Sequence, residues 1–484
     1  MKKFLSFALI AIIALMSVLM TACNTNGVGS SLGNNGNRVE RPKDDTVYSE
    51  RELVDDELPE MKFGGREFHI IARDSGLGSQ QETGVGLEQI EDVLSNTIYA
   101  RNKEVEERFN VNITATYSTS PCDDVKKTVR AGLPTYDLCI DQVIKTCTTA
   151  TDGTFYAVDE LEYVNLDKPW YIKSATDAIS VAGKSFFIAG DMLLTIYRFT
   201  YCVFFNADIG KKYPEVEDLY TVVEEGRWTI DYMSELVKKF YYDINGNGEK
   251  DPEDQFGLAS DWHSSIHTYN YSFDNPIMRL DEDGIPQVAY NTPKTVAIVE
   301  KLYELFRENK GTFAGTWGVT GGSIHDNRAF LWNGRFESTE GHRSDDFEFG
   351  MIPYPKYDEM QERYYTMADG NHSIMAVPIT ADAEFASIII EALNAGSYKK
   401  VIPAYYENEL KLKGARGDER AAEMIELISS GLSFDFGFVY GGIGQLLMEM
   451  ISNGNSNFAS EYDKNESAAI KQYNSVIEKY LDMV

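Results

Sequence analysis

The chain has 484 residues, 43% of them apolar, and a formal net charge of −31 from 45 basic and 76 acidic side chains. A surface of that charge repels nucleic acid and other polyanions, which argues against such partners and favours a neutral or cationic ligand. The length exceeds what one hydrophobic core supports and suits two or three domains.

In chain order, Lys2 and Lys3 precede an apolar run from Phe4 to Met20 and the stretch "LMTAC" ending at Cys23. This is the layout of a secretory signal peptide, expected over residues 1–22. "MTAC" also resembles a bacterial lipobox, which makes Cys23 the expected site of lipidation. Residues 23–59 then read as the lipidated cysteine and a flexible tether, since "NTNGVGSSLGNNGN" at 24–37 is polar and rich in Gly and Asn. No later stretch approaches the ~20 apolar residues of a membrane helix. The expected location is the extracytoplasmic face of a cell membrane, held by the lipid. Four further cysteines, Cys122, Cys139, Cys147 and Cys202, permit disulfides in an exported chain, with three full pairings. A domain of this size needs no such staples, and buried free cysteine acts as a small hydrophobe, so both states stay open.

"REFHIIARD" (66–74) predicts a strand, residues 90–110 a helix with Ile90, Val93, Leu94, Ile98, Val105 and Phe109 near helical spacing, and "VNITATYS" (111–118) a second strand. Strand, helix and strand make a βαβ unit and so a parallel sheet. A helix follows over 123–132 and a buried strand over 136–144. "WTIDYMSELVKKF" (228–240) predicts a helix capped by Thr229, with Asp231 favourable in its first turn. Further helices are predicted at 294–308, 382–395, 418–429, 442–451 and 466–482, and strands at 347–352 and 372–377. The fold class is α/β with a helical C-terminal end.

"DINGNGEKDPED" (243–254) matches much of a calcium-loop template, D-x-[DN]-x-[DN]-G. Asp243, Asn245 and Asn247 fill the first three ligand positions, Glu249 the backbone-carbonyl position, Asp251 the ninth and Asp254 the twelfth. Asp254 is one methylene shorter than the usual bidentate glutamate, Lys250 stands where an apolar residue is usual, and no second loop pairs with this one. A calcium sensor is not expected; a single structural calcium site and a plain Asn/Gly turn remain the two readings.

The lipobox, "ERFNVNI" (107–113), "VFFNADIGKKY" (203–213), "GRWTIDYMSELVKKF", the Asp/Asn/Gly loop, "AFLWNGRFES" (329–338) and "FGMIPYPKY" (349–357) come in a fixed order. That series resembles the extracellular solute-binding proteins of the maltose-binding-protein class, which serve ABC importers, over most of residues 60–410. The resemblance implies a two-lobed fold with a hinge of several crossing segments: an N-terminal lobe from 60–196 plus 366–410, and a C-terminal lobe from 197–365 plus 411–484. Crossings are implied near 193–199, just after "IPYPKY", and near 400–412. It also implies a ligand between the lobes, a carbohydrate as cargo, the transmembrane subunits of a permease as partner, a monomer, and no catalysis or cofactor beyond possible structural calcium. A carrier for a peptide or another polar nutrient is the alternative, followed by a glycan-binding adhesin and a glycosidase.

Chemistry points to the same cleft, since ligands of open parallel sheets sit beyond the carboxyl ends of the strands. Those ends are Asp74 and Ser75 after the first strand, and Asp141 and Gln142 after the third. Sugars offer hydroxyls at the rim and C–H groups on the faces, so Trp262, Tyr269, Tyr271 and Trp317 are candidate stacking platforms. "ADGNHS" (368–373) adds Asp369 and Asn371. Where the resemblance implies a sugar-stacking tryptophan beyond Asn333 and Gly334, this chain has "GHR", so His342 and Arg343 stand in as hydrogen-bond donors and maltodextrin specificity is not implied. Enzyme motifs fail: "GSSLG" (29–33) lies in the tether with no strand before it, and His263 and His267 in "HSSIH" lack the glutamate of the zinc-protease helix. A glycosidase needs only two carboxylates at a set separation, which spacing in sequence cannot exclude.

Overall fold

A computed structural model describes residues 50–483, apart from 88–91, 263 and 415–418. The signal peptide, Cys23 and most of the expected tether lie outside the described residues. The tether's last stretch is docked rather than free: Arg51 stacks over Tyr398 at 4.4 Å, and Asp56 pairs with Arg108. Among the described residues, no helix is long and apolar enough to cross a membrane.

Two sheets organise the chain into two lobes. Strands β1 (Arg66–Arg73), β2 (Val111–Ser118) and β3 (Leu138–Gln142) belong to the first. Strands β4 (Tyr201–Asn206), β5 (Phe256–Asp261), β6 (Met278–Leu280), β7 (Pro286–Val288), β8 (Thr312–Gly315), β9 (Ala329–Arg335) and β10 (Phe349–Ile352) follow, and β11 (Ser373–Ala376) returns to the first sheet. The first sheet has the order β11-β3-β1-β2, with β1 parallel to β2 and β3, and β11 antiparallel to β3. The second has the order β10-β4-β9-β5-β8, and β6 and β7 form a separate hairpin. Parallel strands need helical crossovers, and the helix Val93–Phe109 between β1 and β2 supplies one, with Asp92 accepting the Ser95 N–H at its start.

The predicted strands and helices are present, with boundaries moved by a few residues. The capped helix runs over Ile230–Lys239, and Thr229 accepts the Tyr232 N–H as expected. This helix lies so close to the second sheet that a side chain at Gly257 or Gly311 would collide with the Val237 carbonyl, which is why both positions are glycine. The last helix starts earlier than its periodicity suggested, at Phe458, and runs to Asp482. All four described cysteines are buried and free, although Cys122 and Cys139 place their sulfurs 4.0 Å apart.

Candidate functional site

Strands β1 and β3 end at Arg73 and Gln142, and β11 begins at the same edge, with Ser373 opposite Gln142. In the second lobe β5, β8 and β9 end at Asp261, Gly315 and Arg335, and β4 starts there with Tyr201 opposite Arg335. Three chain segments join these edges. Thr200 bridges to Ala368, the Tyr201 N–H donates to the Met367 carbonyl at 3.0 Å, and Thr366 donates to Gly431 at 2.9 Å while accepting from Ser433 at 2.9 Å. The carboxyl edges of the two lobes therefore meet at one seam, the place where open parallel sheets bind ligands.

A polar cluster occupies the first-lobe side. Asp369, 5% exposed, accepts the Tyr201 hydroxyl at 2.8 Å and the Asn371 backbone and amide N–H groups at 2.9 and 2.8 Å, and faces Arg335 at 3.7 Å. Burial opposes its charge, but Arg335 and these donors outweigh it and hold the Asp369 carboxyl below its ordinary value. Gln142 donates to the Asn371 side-chain oxygen at 2.7 Å, and Arg73 donates to the Asn371 carbonyl at 2.7 Å. Arg335 also pairs with Glu337 and lies 4.7 Å from the Phe199 ring. The cluster thus holds carboxylate, amide and guanidinium groups, with Asn371 exposed on top.

Facing it is an aromatic wall. The His267 ring stacks on Phe438 with centroids 4.7 Å apart and an interplanar angle of 24°, and Tyr271 stands edge-on to both. Neither nitrogen of the buried His267 has a hydrogen-bond partner among the described residues. Burial pushes its pKa down to about 4, so at neutral pH the ring offers one donor and one acceptor. Phe438 reaches across to the first lobe, where its ring edge would lie 3.0 Å from a Cβ on Gly370, beside Ile144. Trp262, half-buried just after β5, lies under the Arg307 guanidinium at 4.3 Å.

Of the residues expected at a site, Gln142, Asp369 and Asn371 come together here, and Tyr271 stands in the aromatic wall. Asp74 and Ser75 are exposed at the end of β1, with Ser75 bonded to Ser79 at 2.7 Å. Asp141 is turned inward: its oxygens accept the Cys122 and Gln142 N–H groups, so it holds the start of the helix Pro121–Arg130. Tyr269 is fully buried within the second lobe among Phe273, Phe306 and Tyr354 and belongs to the core. His342 is likewise buried, against Trp332 and Phe349, away from the seam. The side chains of Trp317 and Arg343 lie outside the description, as does His263. Arg73, Tyr201, Arg335, His267 and Phe438 were not anticipated. Arg73 adjoins a residue that was, whereas Phe438 comes from a remote segment with no local signal.

The Asp243–Asp254 loop closes on its own hydrogen bonds. Asp243 accepts the Gly246 and Gly248 N–H groups at 2.7 and 2.9 Å, and Asn245 and Asn247 both donate to Asp251. The Glu249 N–H donates to Asn247 at 2.7 Å. Asp254, fully buried, accepts from the Tyr241 hydroxyl and the Asp251 and Ile244 N–H groups.

No family model and no curated protein matches the sequence. Solved structures do match the fold. A maltose/maltodextrin-binding domain from Bdellovibrio bacteriovorus, bound to maltotriose, aligns over 86% of this chain and 100% of its own, with a TM-score of 0.51 and 13% identity. A cyclo/maltodextrin-binding protein complexed with maltotetraose aligns over 87% and 98%, with a TM-score of 0.54 and 10% identity. M. tuberculosis UspC aligns over 84% and 100%, at 0.53 and 12%. The chain therefore has the two-lobed α/β fold of these binding proteins.

Proposed function

We propose that the chain is a binding protein that captures a carbohydrate, a mono- or oligosaccharide, between its two lobes and delivers it to the membrane subunits of an ABC importer. The observation that carries this reading is the seam itself, where the Asp369–Asn371–Gln142–Arg73 cluster faces the His267–Phe438–Tyr271 wall. Hydroxyls at a sugar's rim match carboxylate, amide and guanidinium groups, and the C–H faces match aromatic rings. The unpartnered His267 nitrogens supply a further donor and acceptor inside the wall. The solved neighbours with maltotriose and maltotetraose support the substrate class.

Ligand works here by population shift. It must contact both faces of the seam, so it binds the closed arrangement better than the open one, and the closed form is the one a permease accepts. Nothing in this reading needs turnover, and the protein is placed among carriers rather than enzymes. Cys23 carries a lipid that keeps the monomer at the extracytoplasmic face of the membrane. The 243–254 loop serves the second lobe as a structural element. Calcium at millimolar concentration enters through oxygens of Asp243, Asn245, Asn247, Asp251 and Asp254 and the Glu249 carbonyl.

The test is thermal unfolding against a panel of mono- and oligosaccharides, with peptides as a further arm. A ligand bound only by the folded state at 100 times its dissociation constant adds about 2.7 kcal/mol, enough for a clear melting shift. A shift with one sugar class and recovery of the sugar intact supports the carrier reading. A shift with peptides alone moves the cargo, and sugar recovered cleaved overturns the non-enzymatic assignment.

A further inference from the structure

Away from the seam, two of the chain's six histidines converge on one carboxylate. His325 ends the helix Trp317–His325, and His342 and Asp345 bracket the short turn that leads towards β10. The Asp345 carboxylate lies 2.9 Å from His325 Nδ1 through one oxygen and 2.7 Å from His342 Nδ1 through the other. The two imidazole rings stand 5.0 Å apart, and one ligand atom from each of the three residues lies within 4.8 Å of the others. We infer that His325, His342 and Asp345 form a binding site for a zinc-class transition metal.

The donor set decides the class. Two imidazoles and one carboxylate suit zinc and its first-row neighbours, whereas calcium and magnesium take oxygen ligands almost exclusively. Zinc bonds of ~2.0–2.1 Å in a tetrahedron put ligand atoms roughly 3.3 Å apart. The two His–Asp spacings, 2.9 and 2.7 Å, are a few tenths of an ångström shorter, so binding requires both to open slightly. His325, its side chain 43% exposed, can swing outward, and a small rotation of the Asp345 carboxylate opens its contact with His342, which at 2% exposure is held by its neighbours.

The surroundings favour a defined site over a chance cluster. The His342 ring packs against Trp332, Phe204 and Phe349 at centroid distances of 5.0, 5.9 and 5.6 Å, an apolar shell that locks its orientation. Three protein ligands leave a fourth position for water on the exposed His325 side. A metal there would pin the far end of a helix whose first turn follows β8 at the carboxyl edge of the second sheet.

The experiment uses the untagged full chain, stripped with chelator and dialysed, titrated with Zn2+ and separately with Co2+ followed by its visible ligand-field spectrum. One equivalent of metal per chain, a melting point raised by several degrees and reversed by chelator, and a tetrahedral cobalt spectrum are expected. His325→Ala, at the exposed position, should keep the fold by circular dichroism and weaken zinc binding by more than about tenfold; Asp345→Asn should do the same. Millimolar calcium should not displace the metal. The proposal is overturned if the wild type takes up no zinc, or if His325→Ala and Asp345→Asn bind it as the wild type does, which would leave a hydrogen-bonded His–Asp–His cluster and nothing more.

Discussion

The Tyr201 hydroxyl donates to the Asp369 carboxylate at 2.8 Å, tying the first residue of β4 to the segment that re-enters the first sheet. One carboxylate thereby serves both the hinge and the candidate site. Replacing it should disturb both, in separable ways.

Asp369→Asn removes the charge that faces Arg335 while keeping the shape. Ligand affinity should fall about ten- to a hundredfold, the effect of about 1.5–3 kcal/mol for a hydrogen bond to a charged group. The pH dependence has a defined sign. The folded pKa of Asp369 is lowered, so its stabilisation is present above the unfolded value and lost as pH falls through the folded one. The stability gap between wild type and Asp369→Asn should therefore be full at neutral pH and shrink below about pH 4. Denaturant unfolding of both proteins across that range checks it; a constant gap would remove the charge argument.

His267 and His372 are both buried, and burial lowers each pKa from 6.5 to about 4. The unfolded chain binds those protons first, so stability present above pH 6.5 is lost as pH falls towards 4. The slope is about 1.4 kcal/mol per pH unit for each group. His267→Phe should flatten the acid side of the stability profile by one proton while keeping the stack on Phe438. The same variant should bind ligand more weakly, since the ring nitrogens are gone. Unchanged affinity would place His267 in the core and outside the site.

Gly370→Ala tests the contact between the lobes. The new methyl would lie 3.0 Å from the Phe438 ring, which must move for it to fit. A stability loss of about 1–3 kcal/mol is expected from overpacking. A larger proportional loss is expected in ligand affinity, because Phe438 carries the His267 stack. Calorimetric titration beside thermal unfolding separates the two effects.

In the 243–254 loop, Asp254→Ala strips acceptors from three donors at a buried position and should destabilise the protein by at least about 2 kcal/mol, with or without calcium. Asp243→Asn should instead leave the stability in chelator little changed and abolish any melting rise in millimolar calcium. A wild type that shows no heat of binding to calcium at that concentration has a turn there and no site.

Much of the frame was legible in the sequence because strands and helices announce themselves locally. The β1, helix, β2 unit follows from alternation and helical spacing, the rule that ligands gather after parallel strands points to Gln142, and the separate "ADGNHS" stretch before the later strand points to Asp369 and Asn371. Side-chain direction was not legible. Asp141 follows the same rule as Gln142, yet it turns to the helix start behind the sheet. Tyr269 and Tyr271 are two residues apart on one helix, and only the second faces Phe438. His342 looked like a donor for hydroxyls until Phe204, Trp332 and Phe349 arrived from three separate strands to enclose it. Phe438 is contributed from beyond all the motifs, and a contact across that many residues leaves no trace in local pattern.

The docking of residues 51–57 fixes where the chain first joins the folded body. Arg51 grips Tyr398, Asp56 holds Arg108 at the end of the helix Val93–Phe109, and Lys168 reaches Glu57 at 3.1 Å. Phe63 and Gly65 then bond to the Phe109 and Asn110 carbonyls just before β1 begins. A pull on the chain before Glu50 thus meets the Arg51–Tyr398 contact first, and only after it the Asp56–Arg108 pair and the Phe63 and Gly65 bonds at the amino-terminal edge of the first sheet. Arg51 also lies within electrostatic reach of Asp191, Tyr197 and Tyr406, so the docked end of this stretch sits beside the segments expected to cross between the lobes.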